Sequence, residues 1–524
     1  MDPIHLWDNS WHVPPPNDNV KDLFGRSPHD LDIKEKRGKP ATELIKSLAL
    51  RTIGDLKESE MDSVLVLPNS FREGFDELKD QYIFQLSLDD DGNIQSLTTN
   101  NIIGFIGSGN SDIRIHSRFF NLKESDNDFF LYYMLEKVLA INCIKMPTSS
   151  SNKNKVFDFL LFFFPKMLKE ALSQGLYKSY VYHEYNDANL RGVIDINRHI
   201  RHNIPANGHI AYRTREFSYD NSVTQLIRHT IEFIRRKPFG EAILHNDGDT
   251  ETCVQQIIQA TPSFVSRQQQ TIINNNLRPF IHPYYTKYAA LQKLCLSILR
   301  YEKLSYDQSK DKKIHGILID AAWLWEEYLA CVLTKTTGLK HYTRNSDYHL
   351  LVNSKTGDAF QKIIPDYLDE DKKLVADAKY MPLIKDELSA DKAAPVYYKT
   401  IMYMYRFNAR QGFLFHPVSR KKVNEINDTI EIVASENESI TLSQYYIEDR
   451  EDCHLYKLGL VVNEESFVND STDNKEKTEK PKKIHDSDLW TCYRKKMSER
   501  ENVFVTKIQD VIDKANPCGL NCFQ

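Results

Sequence analysis

The stretch from Lys362 to Lys379 constrains this chain more than any other. It reads Lys362-Ile363-Ile364-Pro365-Asp366, then, past the acidic turn Asp369-Glu370-Asp371, Lys373-Leu374-Val375-Ala376-Asp377-Ala378-Lys379. Short apolar runs separated by a polar turn fit two strands of a hairpin. Side chains alternate along a strand, so Asp377 and Lys379 project from the same face. A hairpin that turns near Glu370 sets Asp366 opposite the neighbourhood of Ala376 and Asp377. Two carboxylates and one ammonium then converge on one small site.

Carboxylates a few ångströms apart repel each other unless a cation lies between them. Mg²⁺ meets that need with oxygen ligands and retained waters. A metal-bound water has a lowered pKa, and an adjacent lysine orients it or stabilises charge that builds on a phosphate. The pattern points to phosphodiester hydrolysis; the competing reading is a surface hairpin with ordinary charges. Upstream, Trp325-Glu326-Glu327-Tyr328 lies on a helix expected over Leu318 to Thr334. Adjacent helix residues point about 100° apart, so at most one of the two glutamates serves as a third, water-mediated ligand. A solvated helix face is the alternative.

The 524 residues amount to about three domains at ~150 residues each. Residues 1–60 read as an irregular leader with helical spacing from Ala41 to Leu56. Residues 61–120 read as a small β-rich domain, with strands around 64–67, 82–86, 102–106 and 113–115 and turn residues between them. Residues 121–310 read as mostly helical, with a long helix from Asn221 to Arg236 and strand-like pieces at 179–183 and 192–196. Residues 311–463 hold the hairpin, a helix from Ala393 to Asn408, and strands at 412–417 and 429–433. Residues 464–524 read as a charged linker and a short tail, the latter with an amphipathic helix over 489–515. The expected fold class is α+β.

Charge narrows the functions. Lys and Arg number 68 against 73 Asp and Glu, a net of −5, so any attraction to nucleic acid must come from a local patch. Two stretches without Asp or Glu qualify. Thr252 to Tyr301 interleaves basic and aromatic residues, and Lys392 to Asn424 holds Lys399, Arg406, Arg410, Arg420 and Lys421. Solvated faces over core aromatics are the alternative for both. Phosphate contact favours the second stretch, which adjoins the hairpin. The longest apolar run, Phe159 to Phe164, is far short of the roughly 20 residues of a membrane span. The start shows no secretory signal, and the dispersed cysteines fit reduced thiols in a cytoplasm. Cys518 and Cys522 have no second half to complete a zinc site.

The helix with Trp-Glu-Glu-Tyr, then Pro-Asp, Asp-Ala-Lys, helix and strand, resembles the PD-(D/E)xK nuclease core. More narrowly the chain resembles the McrC family, nuclease subunits of McrBC-type modification-dependent restriction systems. Leu190-Arg191-Gly192-Val193-Ile194-Asp195, Arg215-Glu216-Phe217 and Phe413-Leu414-Phe415-His416-Pro417 carry the likeness, which covers about residues 102–417. The resemblance implies a C-terminal α/β nuclease core with a central mixed sheet. It places metal-binding aspartates at Asp366 and Asp377, the catalytic lysine at Lys379 and the helix glutamate at Glu326, less readily at Glu327. It implies Mg²⁺, double-stranded and modified DNA as substrate, and a separate McrB-like AAA+ GTPase partner that the β-rich N-terminal part docks on and stimulates. The sequence has no Gly-x-x-x-x-Gly-Lys-Ser/Thr of its own. Lys399 stands where the family usually has a glutamine, four residues before Tyr403. A non-catalytic activator of the motor and a stand-alone nuclease are the other readings.

Overall fold

A computed structural model describes residues 4–14, 29–31, 38–59, 64–68, 79–108, 111–120, 128–139, 152–237, 240–245, 247–306, 314–334, 337, 339–341, 348–371, 373–381, 383, 390–419, 439–463 and 486–515. The chain forms two compact units. One comprises Met1–Asp55, Lys79–Ile144 and Leu318–Gln524; the other comprises Leu56–Leu78 and Lys145–Ile317.

In the first unit the leader is part of the β framework. Ile4–Trp7 runs parallel to Ser111–His116, which pairs antiparallel with Ile102–Ser108. Trp11–Val13 pairs antiparallel with Ile94–Thr99, which pairs in turn with Phe84–Leu88. Aromatic and β-branched residues favour a pleated, half-buried strand. The chain reverses at Asp8-Asn9, where Asn9 takes the left-handed φ of 46° that asparagine tolerates. The expected helical stretch is two helices, Gly38–Ala49 and Ile53–Ser59, interrupted beside the exposed Leu50.

The same unit holds a six-stranded mixed sheet. Its elements in chain order are α1 (Ala321–Leu333), β1 (Lys340–His341), β2 (Tyr367–Asp369), β3 (Leu374–Ala378), α2 (Ala390–Arg406), β4 (Gln411–Val418), β5 (Ile440–Ile447), β6 (Arg450–Val461) and α3 (Asp486–Ala515). The strand order is β1-β2-β3-β4-β6-β5. β3, β4 and β6 are parallel neighbours, while β1–β2, β2–β3 and β5–β6 are antiparallel. Parallel neighbours need a crossover, and α2 supplies it between β3 and β4. β4 is buried throughout its length, as a central strand covered on both faces must be.

Alternation divides β3 and β4 between two layers. Val375 and Leu414 pack under α2 with Val396, Tyr403 and Met404. Phe413 and Phe415 face the other way; Phe415 meets Phe504 of α3 at 5.4 Å, and Trp325 of α1 donates its indole N–H to the Phe415 carbonyl. The approach of α2 needs a glycine at 412, where a Cβ would lie 2.6 Å from Met404 Sδ. The tail helix α3 starts at Asp486, slightly before its expected start, and buries Trp490, Tyr493, Met497, Phe504 and Ile508. That spacing is one helical stripe. The strand expected at 429–433 and most of the charged linker lie outside the described residues, as do Cys518 and Cys522. No disulfide joins the described cysteines.

The second unit is helical with a small sheet set into it. Helices Asn152–Leu172, Ser222–Arg235, Gly248–Ala260 and Lys287–Tyr306 pack around the fully buried Leu226, Ile227, Val254, Ile257, Leu291 and Leu294. The expected long helix is there, with Asn221 as its cap: its side chain accepts from the Val223 and Thr224 N–H groups. Three strands pair in the order Val193–Ile194, Ile210–Ser218, Ser179–Asp187. The strand-like piece at 192–196 stops early because Asp195 caps a helix over Ile196–Asn203, accepting from the Arg198 N–H. Among the described residues no helix is long and apolar enough to cross a membrane.

Candidate active site

The register of β2 against β3 builds the site. Tyr367 pairs with Ala376, which sets Asp366 opposite Asp377 one step further on. The Ala378 N–H donates to Asp366 Oδ2 at 2.7 Å. Asp377 is fully buried on the α2 side of β3. One of its oxygens pairs with the Lys379 ammonium, and the other lies 3.9 Å from Lys399 Nζ on α2. Lys379 stays tied to the sheet because its N–H donates to the Phe415 carbonyl at 2.8 Å. The Tyr403 hydroxyl donates to the Ile364 carbonyl at 2.9 Å, which anchors the Pro365-Asp366 segment to α2.

The two carboxyls are pushed apart in acidity. Asp366 keeps part of its residue surface exposed, but its carboxyl sits deep among protein atoms. Burial, then the Asp377 and Glu326 charges, raise its pKa well above the carboxylate range. Burial opposes ionisation at Asp377 too, but there the Lys379 and Lys399 ammoniums outweigh it and hold the carboxyl below its ordinary value. A buried carboxylate pair that holds one proton presents the kind of charge that a cation can replace. Asp377 Oδ2 is held by the Lys379 ammonium, while Oδ1, 3.9 Å from Lys399 Nζ, has no hydrogen bond of ordinary geometry. Among the described residues no three His, Cys, Asp or Glu side chains converge into a ready-made cage. The donor set is therefore a carboxylate pair with a lysine alongside. It fits Mg²⁺, which keeps several waters and binds through one or two carboxylates and substrate phosphate.

The two glutamates of α1 separate as their angle requires. Glu327 accepts from the Trp323 indole N–H at 3.2 Å, one turn away. Glu326 contributes to the raised pKa of Asp366, and its Oε1 lies 2.9 Å from His341 Nε2. Its backbone carbonyl accepts from the Tyr367 hydroxyl at 2.7 Å. His341, on the edge strand β1, is the residue that the sequence does not flag. A single histidine far from the hairpin carries no spacing signal, and only the β1–β2 pairing brings it here.

The basic residues divide. Lys399 belongs to the site. Arg406 lies seven residues further along α2, where its Nε–H donates to the His349 carbonyl and its guanidinium lies 5.6 Å from the Phe407 ring. The Arg410 N–H donates to the carbonyl of Lys373, at the opposite end of β3 from Asp377. Four residues at ~3.3 Å each separate those ends by roughly 13 Å. The structure thus does not gather Arg406 and Arg410 at the carboxylates, because the crossover carries the chain back to the start of the sheet. Arg420 and Lys421 lie outside the described residues. Tyr398 and Tyr405, 70% and 80% exposed, share the outer side of α2 with Lys399 and Arg406; one turn counts 3.6 residues, so positions seven apart align. In the other acid-free stretch, Phe280, His282, Tyr285 and Tyr288 pack edge-on or tilted with Tyr177, and Tyr288 is fully buried. Of those rings only Tyr288 is core; Tyr177, Phe280, His282 and Tyr285 are half-buried, and Tyr284 is exposed.

A family model described as McrBC 5-methylcytosine restriction system component matches residues 97–417. No curated protein matches. Among solved structures, a chain of the refined half-complex from the tetradecameric assembly of Thermococcus gammatolerans McrB AAA+ hexamers with bound McrC is 14% identical. That match covers 95% of this chain and 100% of that one, with a TM-score of 0.43. A chain of the Thermococcus gammatolerans McrBC complex is 13% identical over 65% of this chain and 89% of that one, with a TM-score of 0.27. The family match takes in well over half of the sequence, the whole Asp366–Lys379 hairpin and the helix that carries Glu326, and on that ground the chain belongs to the family of McrBC 5-methylcytosine restriction system components.

Proposed function

We propose that this chain is the Mg²⁺-dependent DNA endonuclease subunit of a McrBC-like restriction complex, a type IV-like defence system. The observation that carries the reading is the opposed pair Asp366 and Asp377 with Lys379 on the latter. Asp366 and Asp377 would hold the metal. Glu326, already beside Asp366, would add a ligand through water, with His341 fixing its carboxylate. Bound Mg²⁺ supplies Lewis acidity and a water of lowered pKa. Lys379 holds an ammonium where charge builds on the scissile phosphate, and Lys399 adds a second cation from α2. Tyr398, Tyr405 and the exposed Arg406 offer rings and charge to the DNA backbone along the outer side of α2.

The reading includes a separate AAA+ GTPase that recognises modified DNA, since this sequence has no P-loop. It rests on family membership. Ile196, Ile200 and Ile204 of the second unit, 67%, 53% and 64% exposed, form an apolar stripe of a kind that marks protein contact. It joins the N-terminal β-rich part as a candidate surface for that partner. The test is reconstitution with a McrB-like AAA+ GTPase. Methylated duplex should be cut only when GTP, Mg²⁺ and this chain are all present. Cutting by the motor without this chain would overturn the assignment.

A further inference from the structure

Asp8 and Arg118 form a buried ion pair against the ring of Tyr380, the residue that follows the proposed catalytic lysine. Asp8 is fully buried, and the Arg118 side chain is 13% exposed. The Arg118 N–H donates to Asp8 Oδ1 at 2.5 Å, and its guanidinium donates to Oδ2 from Nε at 3.1 Å and from Nη2 at 2.7 Å. Nη2 also donates to Asn101 Oδ1 at 2.8 Å. The Asp8 N–H donates to the His116 carbonyl, so the acid is fixed to the N-terminal strands. The locked guanidinium lies 4.7 Å from the centroid of the Tyr380 ring, and Phe119 meets that ring edge-on at 6.0 Å. Tyr380 directly follows Lys379.

A buried ion pair is a poor device for stability, because desolvation consumes most of its attraction and apolar residues of equal volume commonly do as well. A forked guanidinium held by a carboxylate and an amide is a good device for holding a neighbour in one place. Here the neighbour is Tyr380, and Lys379 is fixed from both sides. Its own N–H holds the Phe415 carbonyl, and the residue before it, Ala378, holds Asp366.

We infer that Arg118 is a positioning residue for Lys379: locked by Asp8 and Asn101, it clamps the Tyr380 ring and thereby fixes the backbone from which Lys379 reaches Asp377. The inference rests on the nuclease reading for its consequence in cleavage, but the clamp itself is measurable without it. The Tyr380 hydroxyl has no hydrogen bond of ordinary geometry but lies within electrostatic reach of Arg118, so Tyr380→Phe keeps the ring contact without the hydroxyl and Tyr380→Leu removes the ring.

Two readouts are taken on the full chain. One is the rate at which an amine-acylating reagent labels Lys379, read by peptide mass spectrometry against the exposed Lys355. The other is single-turnover cleavage in the reconstituted complex beside DNA affinity. Tyr380→Leu should speed Lys379 labelling several-fold and slow cleavage at saturating DNA tenfold or more, with affinity within twofold. Tyr380→Phe should match wild type in both. The double change Asp8→Asn with Arg118→Met, which leaves no lone charge buried, should behave as Tyr380→Leu does and replaces it if that variant does not fold. Wild-type labelling of Lys379 in folded Tyr380→Leu, or in the double variant, overturns the clamp whatever the cleavage result. If wild type cuts no DNA while the labelling ratio rises as stated, the nuclease reading fails and the clamp stands.

Discussion

Asp366 and Asp377 show how one environment sends two identical side chains in opposite directions. The folded pKa of Asp366 is raised above its unfolded value, so the fold favours its protonated form. That stability is complete below the unfolded carboxyl pKa and is lost as pH rises through the folded one. Asp377 is depressed, so its contribution is present above the unfolded pKa and lost as pH falls through the folded value. Asparagine at 366 is neutral at every pH. Asp366→Asn should therefore raise the thermal midpoint of the metal-free protein more at pH 8 than at pH 5. Mg²⁺ should raise the wild-type midpoint at pH 8, since a ligand bound only by the folded state stabilises it, and should leave Asp366→Asn unmoved. Calorimetry with and without the metal checks both. An equal gain at the two pH values would mean that the two carboxyls do not share a proton.

At the scale of elements, the site depends on α2 lying close over β3 and β4. Gly412→Ala places a Cβ 2.6 Å from Met404 Sδ and 3.2 Å from a Leu455 methyl. Overpacking of this kind costs about 1–3 kcal/mol; the urea midpoint should fall accordingly, and cleavage should drop because Lys399 and Tyr403 ride on the same helix. An unchanged midpoint would mean that α2 yields without strain. The hairpin, the long capped helix at 222–235 and the stripe of α3 were legible in the sequence, because each depends on local period, cap or turn chemistry. The leader strands were not, since Ile4–Trp7 finds its partner more than a hundred residues away. His341 and the Arg118–Tyr380 contact are equally silent in sequence, because they exist only once distant strands pair. The basic residues separate for a related reason: Arg406 stays on the outer side of α2 with Lys399, while the crossover carries Arg410 to the end of β3 away from Asp377. The convergence of Asp366, Asp377 and Lys379 was legible because strand alternation and the hairpin register align them.

At the scale of the molecule, the proposed chemistry lies in one compact unit, and the two candidate partner surfaces are divided between the units. The carboxylate pair, Lys379 and Lys399 all lie in the first unit, and the exposed isoleucine stripe lies in the second. Changing Ile196 and Ile200 to Asp alters surface positions, so stability should shift by no more than about 0.5 kcal/mol. Stimulation of the motor's GTP hydrolysis should fall at least tenfold. The measurement is GTP turnover by the partner against a titration of the variant chain. Full stimulation by that variant would remove the stripe from the interface and return docking to the N-terminal strands.

The central claim is that Asp366, Asp377 and Lys379 cut DNA rather than merely shape the fold, and single-turnover cleavage set beside DNA affinity tests it most directly. Lys379→Ala should slow cleavage at saturating DNA by about 10²–10³-fold, the usual loss when one charge-stabilising group is removed from a transition state. Affinity should change little, because phosphate binding is shared among many contacts. Cleavage by Lys379→Ala at the wild-type rate, or a loss of affinity that accounts for the whole fall in rate, would contradict it.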